Sequence, residues 1–162
     1  MSYILFKAKR INSEEYDGTW IEGIPIRNHI GLFMCFDENP HYCSQYGYME
    51  IDNVAMVDES TLCRYTGLTD ENNRKVFEND IVEFRHGGEF SEKGIWHRNY
   101  VIEYVNTFCT YGLRFRNKSI HFPCKQSTIL MHDVRVIGNI FDNPELLKAG
   151  QQSNADVLLP AT

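Results

Sequence analysis

The sequence predicts a mainly β protein with minor α content. Three observations lead there. Nine tyrosines and ten phenylalanines stand beside few alanines and leucines among 162 residues, a bias that suits pleated, half-buried surfaces better than helices. From Ile95 onward, apolar stretches are separated by short turn signals, the texture of a β-meander. No heptads and no internal repeat offer another architecture.

The length allows one ordinary domain, or a domain with a smaller lobe, and most apolar surface can be buried without staples. Formal net charge is −6 and the pI is about 5.5, so the overall field repels phosphate backbones and anionic lipid. Nucleic-acid binding is therefore disfavoured. A local basic face is still available from Arg64, Arg74, Lys75, Arg85, Arg98, Arg114, Arg116, Lys118 and Lys125, although scattered charges usually form a solvated face. The N-terminus runs straight into an alternating segment without a signal peptide. Cys35, Cys43, Cys63, Cys109 and Cys124 are an odd number, and reduced thiols in a cytoplasm are expected. No apolar run approaches the roughly 18 residues of a membrane-spanning helix, so a soluble protein is expected.

Along the chain, residues 3–11 form a first strand and 12–18 a charged turn. Residues 19–27 hold Trp20 and Ile21, which favour a strand, but Gly23 and Pro25 demote it to an edge or bulged one. Residues 31–36 are a short apolar run, 37–40 a turn, and 42–48 a polar, aromatic, mobile loop. Short strands follow at 48–52 and 54–57. Residues 58–61 have helix-start chemistry with too short a sequel for a helix. A hairpin then spans 62–85, with a polar turn at 70–73 and an interruption at Glu78-Asn79-Asp80 read as a tight turn or bulge. Residues 86–94 are a flexible loop. Strands at 96–104, 109–116 and 119–122 form the meander, with turns at 106–107 and Asn117-Lys118, and a loop covers 123–128. The closing strand ends at Phe141, followed by a helix start with Asn143 as N-cap and Pro144 at the first helical position. The residues after Gly150 form a frayed tail.

Two pieces carry a resemblance. The first is Tyr65-Thr66-Gly67-Leu68-Thr69-Asp70 with Lys75-Val76-Phe77-Glu78-Asn79-Asp80-Ile81-Val82. The second is Val136-Ile137-Gly138-Asn139-Ile140-Phe141-Asp142-Asn143-Pro144-Glu145-Leu146-Leu147. Both resemble the YopX family of small phage and prophage proteins, and Phe6 to Arg10 with Gly18 to Gly23 extend the likeness over residues 3–148. Asn79 stands where that family usually has glycine, and Asn72-Asn73 replaces asparagine-glycine. Asparagine tolerates positive φ better than most residues, so these turns can survive. The resemblance implies a mostly β body with an SH3-like β-barrel, closing strand and short helix over 63–149, after an N-terminal β-rich part over 1–62; composition leaves 150–162 as a flexible tail. The resemblance also implies an assembled oligomer and carries over no catalytic residue.

Chemistry is sparse. Cys35, His41, Cys43 and Cys63 lack the paired short spacing of a structural zinc site, so no metal is expected. Cofactors are likewise not expected, since Gly87-Gly88 lacks the spacing and lysine of a nucleotide loop. His97, His121 and His132 stand in no recognisable nucleophile arrangement, and the protein is expected not to be an enzyme. Tyr65, Thr66, Gly67, Asp80, Gly138, Asn139 and Pro144 suit turns and close backbone approach before any ligand. The weak positive hint is recognition along a barrel face by Trp96, Arg98, Tyr104, Arg114, Phe115, Arg116 and Lys118, although core packing claims most such aromatics first. The expected function is a non-enzymatic phage or prophage accessory protein acting by protein–protein contact, as a homo-oligomer or with another phage or host protein. The alternative is a nucleic-acid-binding small barrel.

Overall fold

The computed structural model describes residues 4–11, 15, 17–36, 41–43, 48–50, 53–86, 96–106, 110–115, 118–123 and 134–149, giving backbone alone for 41–43, 48–50, 86, 96, 118–123 and 149. The chain divides into two compact units, Met1–Tyr65 and Thr66–Thr162, a division three residues later than the expected boundary. Strand dominates both units, and a four-residue helix is the sole α element among the described residues. The expected tail over 150–162 and the expected turns or loops at 12–14, 37–40, 87–94 and 124–128 lie outside the described residues.

The first unit holds β1 (Phe6–Lys9), β2 (Trp20–Arg27), β3 (Leu32–Cys35), β4 (His41–Cys43), β5 (Tyr48–Glu50), β6 (Val54–Met56) and the start of β7 (Cys63–Thr69). Its antiparallel sheet runs β6-β3-β2-β1-β7. Strand β2 thus lies inside the sheet, a correction to the expected edge position. Its register explains how a proline survives there. Trp20 to Gly23 pair with β1, whereas Ile24 to Arg27 pair with β3. Pro25 therefore lies beyond the β1 ladder, where its missing N–H breaks no bond. Gly23 sits at the changeover, buried, where an added Cβ would collide with the Cys35 carbonyl.

A second correction concerns Tyr42 and Cys43, expected in a loop: His41–Cys43 pairs with Tyr48–Glu50 in a two-stranded ladder with His41 opposite Glu50, and the rest of the expected loop, 44–47, lies outside the described residues. Three-residue strands are too short to display an alternation that sequence can reveal. The segment read as a truncated helix start is a 3-10 turn at Glu59–Thr61, capped by the Asp58 side chain, whose Oδ1 accepts from the Ser60 amide at 2.9 Å. An isolated bridge between Arg10 and Val57 joins the end of β1 to the end of β6. Ala8, Leu32, Met34 and Val57 form the unit's core, with Phe6, Ile21 and Leu62 packed against it.

The second unit continues β7 and adds β8 (Lys75–Phe77), β9 (Asp80–His86), β10 (Trp96–Val105), β11 (Thr110–Phe115), β12 (Lys118–Pro123), β13 (Val134–Asn139) and α1 (Leu146–Ala149). Its five-stranded antiparallel sheet runs β12-β11-β10-β9-β13. The meander of β10, β11 and β12 matches the sequence reading. Lys118, expected in a turn, already belongs to β12. Barrel closure in this half would require β12 and β13 to meet, and the described pairings leave them as the two ends of an open sheet. The core comprises Val76, Val82, Tyr100, Ile102, Leu113, Val134 and Val136, with Phe84, Tyr111 and Phe115 packed on it. Each such fully buried side chain contributes about 1.5–3 kcal/mol by removal from water.

Between Val136 and Gly138 the register of β13 on β9 shifts by a residue, a β-bulge that bends the strand. A Cβ on Gly138 would press on Asn143 Oδ1. Helix α1 is one turn and starts at Leu146, two residues after the expected start. The Asn143 side chain faces the Asn139 amide, at 3.4 Å, rather than the helix, and the Asn143 and Pro144 carbonyls take the Leu146 and Leu147 amides in tight turns.

Candidate interaction surfaces

The polar residues of the two recognisable stretches are engaged with backbone. Asp70, buried, accepts the Asn72 and Arg74 amides on Oδ1 and the Val136 amide on Oδ2. Asp80 is 1% exposed, and its Oδ2 accepts the Phe77 amide at 2.8 Å. Thr66 Oγ1 donates to the Val76 carbonyl and accepts from the Leu68 amide. Asn139 accepts the Phe141 and Asp142 amides on Oδ1 and donates to Asp142 from Nδ2. Tyr65 is half-buried, its amide donating to the Leu5 carbonyl; Gly67 has a φ of 82° within β7, and Pro144 is exposed in the turn before α1. Carboxylates and carboxamides that accept several amides hold sharp turns rigidly.

The aromatic and basic residues expected to line a binding face are divided by strand alternation. Tyr100, Ile102 and Tyr104 alternate along β10 with Val101 and Glu103, so Arg98 shares the Tyr100 side. There the Arg98 guanidinium lies 4.5 Å from the centroid of Phe115, whose ring is 5.7 Å from Tyr100. Burial raises the Tyr100 phenol above its ordinary pKa, while the charge and hydrogen bond of Arg98 pull it part of the way back. Arg98, Tyr100 and Phe115 thus form one packed group on the core side. Tyr104, 41% exposed, stacks edge-on with Tyr111 at 5.4 Å. Arg114 lies on the opposite side, opposite Val101, with its Nε 2.7 Å from Glu103 Oε2. Arg116 and the side chains of Trp96 and Lys118 lie outside the described residues.

A surface that sequence reading missed lies on the first unit. Ile24, Cys35 and Val54 stand directly opposite one another across β2, β3 and β6, and so do Ile26, Phe33 and Met56. Directly opposite residues share a sheet face. The neighbouring row of Pro25, Met34 and Ala55 points to the other face, where Met34 is wholly buried in the core. The isoleucine rows lie on the opposite face, where Ile24 is 55%, Ile26 38% and Val54 37% exposed, Phe33 and Met56 are half-buried and Cys35 between Ile24 and Val54 is buried. The sequence held one signal for them, because Ile24 and Ile26 extend the apolar set of β2 to both phases around Pro25. At the other end of the same face, the Lys7 and Lys9 ammonium groups lie 5.0 and 5.6 Å from the Trp20 ring centroid. Cys35 and Cys63 are buried thiols outside any disulfide, and Cys63 Sγ donates to the Thr61 carbonyl; the side chains of His41 and Cys43 lie outside the described residues.

Residues 9–148 match the family of YopX proteins, from within β1 to within α1. The chain belongs to the YopX family. Its fold is similar to that of protein EF1440 from Enterococcus faecalis in a crystal structure, with a TM-score of 0.57 and 21% identity over 91% of this chain and 99% of that one. No curated protein matches the chain. Among the described residues no helix is long and apolar enough to cross a membrane.

Proposed function

We propose that this YopX-family protein is a phage- or prophage-derived accessory protein of the cytoplasm that acts without catalysis, by contact with other proteins and with further copies of itself. The observation that carries this reading is the outward apolar face of β2, β3 and β6. Its two cross-strand rows expose several large aliphatic side chains together, whereas isolated exposed apolar residues are commonplace on monomers. The occupant is a second copy, whose identical rows supply the same pleated aliphatic surface in an isologous pairing. The rows alone cover a few hundred Å², on the order of the largest patch a monomer carries, and a stable interface buries about 800 Å² per partner. A polar rim must complete the contact, and the association is accordingly weak and concentration-dependent.

The resemblance implies an SH3-like barrel over 63–149; the features that support reading one in the first unit instead are the strand order β6-β3-β2-β1-β7, a β2 shared between two ladders, the 3-10 turn before β7 and the Arg10 to Val57 bridge. The nucleic-acid reading is weaker, because Arg98 and Phe115 pack together on the core side while Arg114 pairs with Glu103 on the other. Sedimentation velocity of the double variant Ile24→Lys/Ile26→Lys tests the proposal. The expected result is a fully monomeric variant with an unchanged melting temperature, since the substituted positions are exposed; assembly equal to that of the unmodified protein would refute the surface.

A further inference from the structure

In the ladder of β4 and β5, His41 stands directly opposite Glu50, Tyr42 opposite Met49, and Cys43 opposite Tyr48. Directly opposite residues share a sheet face, and successive residues alternate between faces. His41, Cys43, Tyr48 and Glu50 therefore belong to one face, and Tyr42 and Met49 to the other. One face thus gathers an imidazole, a thiol and a carboxylate. Cys35 and Cys63 fail the spacing of a zinc site with His41 and Cys43, but the register brings in Glu50, which sequence spacing alone does not place beside them.

Opposite positions in such a ladder hold Cβ atoms about 4.5–5.5 Å apart, and diagonal ones about 7–8 Å. Histidine and glutamate are long enough for three donors rooted at these spacings to meet one ion at about 2.0–2.3 Å. Imidazole nitrogen, thiolate sulfur and carboxylate oxygen are the donors Zn²⁺ accepts, whereas Ca²⁺ and Mg²⁺ take oxygen sets. Residues 1–65, the first unit, contain five Lys and Arg against ten Asp and Glu, a field that favours a cation. The ladder is also separate from the unit's larger sheet, and a two-stranded ladder by itself is marginally stable in water.

We propose that His41, Cys43 and Glu50, brought to one face of the β4–β5 ladder, bind a single Zn²⁺ ion. Water takes the fourth position, as in zinc sites with three protein ligands. Cys43 binds as thiolate, so its proton passes to solvent as the ion enters. An ion held from both strands staples the ladder, and its binding free energy becomes folding free energy there. Zinc binding is independent of the proposed association between copies.

The test is titration of the untagged full chain, stripped of metal and kept reduced, with zinc chloride and with cobalt chloride. One equivalent of Zn²⁺ per chain is expected, and Co²⁺ is expected to give a thiolate-to-cobalt charge-transfer band that Cys43→Ser abolishes. His41→Ala and Glu50→Gln should each weaken Zn²⁺ binding by more than the about tenfold that loss of an outer-shell partner costs. Tyr42→Phe, on the other face, should leave it unchanged. In the unmodified chain, which no substitution can unfold, Zn²⁺ is expected to protect Cys43 from alkylation, read by peptide mass spectrometry. No Zn²⁺ bound, a cobalt band that survives Cys43→Ser, or Cys43 alkylated equally with and without Zn²⁺ overturns the site. Binding unaffected by His41→Ala and Glu50→Gln overturns it as well.

Discussion

The carboxylate of Asp70 accepts the amide of Val136, 3.0 Å away and 66 positions further along the chain. Its other oxygen holds the amides of Asn72 and Arg74, and the Glu71 amide donates to the Val134 carbonyl. One buried side chain thus shapes the turn between β7 and β8 and pins it to β13. Asp70→Ala orphans three donors, of which Val136 is the best buried, and a buried unsatisfied group costs about 1–3 kcal/mol. The expected loss is about 3 kcal/mol in urea denaturation, with Asp70→Asn losing less because its carbonyl oxygen can keep one set of amides.

Asn73 and Asn79 have φ values of 61° and 66°, in the left-handed region that glycine enters at no steric cost. The turn is closed from both sides, since the Asn79 amide donates to the Ile102 carbonyl and its own carbonyl accepts from Ile140. Asn79→Gly is expected to be neutral or slightly stabilising. Asn79→Ala is expected to lose about 1 kcal/mol, because alanine gains nothing from the left-handed region and pays its steric cost. Thermal melts of the two variants, compared with the parent, read the difference.

These two turns show what was legible in the sequence. Asp70, Asp80, Asn139 and the glycines announce themselves because turn chemistry is local, and the meander of β10 to β12 follows from short turns between apolar stretches. Long-range register was not legible. Pro25 reads as an edge signal, and the reason it tolerates an interior strand is an offset between two ladders that depends on β1 and β3. The outward isoleucine rows are hidden for the same reason: whether Ile24 or Pro25 faces the core is decided by partners as distant in sequence as Val54. Arg98 and Phe115 look like a recognition pair in sequence, and tertiary packing joins them to Tyr100 instead.

Gly23 should admit no side chain. Its missing Cβ makes room for the Cys35 carbonyl, so Gly23→Ala forces β2 and β3 apart and is expected to cost about 1–3 kcal/mol by overpacking. Gly18→Ala serves as the comparison, since nothing stands within 4 Å of a Cβ there and its cost comes from a φ of 78° alone. Chemical denaturation of both variants separates collision from backbone strain.

Tyr100 links stability to alkaline pH. Burial holds its phenol pKa above the ordinary value of about 10. A group with a raised folded-state pKa contributes stability that is complete below the unfolded pKa and is lost as pH rises through the folded one. Stability is therefore expected to fall above about pH 10, and absorbance of tyrosinate should show one phenol ionising later than the exposed tyrosines. Arg98→Met removes the neighbouring cation and should delay that phase further; an earlier phase would contradict the placement of Arg98 beside the hydroxyl.

Self-association through protein contact is the central functional proposal, and solution mass by light scattering across a rising protein concentration at low salt tests it most directly. The expected result is a mass that climbs from that of the 18.9 kDa chain towards a multiple of it. A mass that stays at one chain throughout would contradict it.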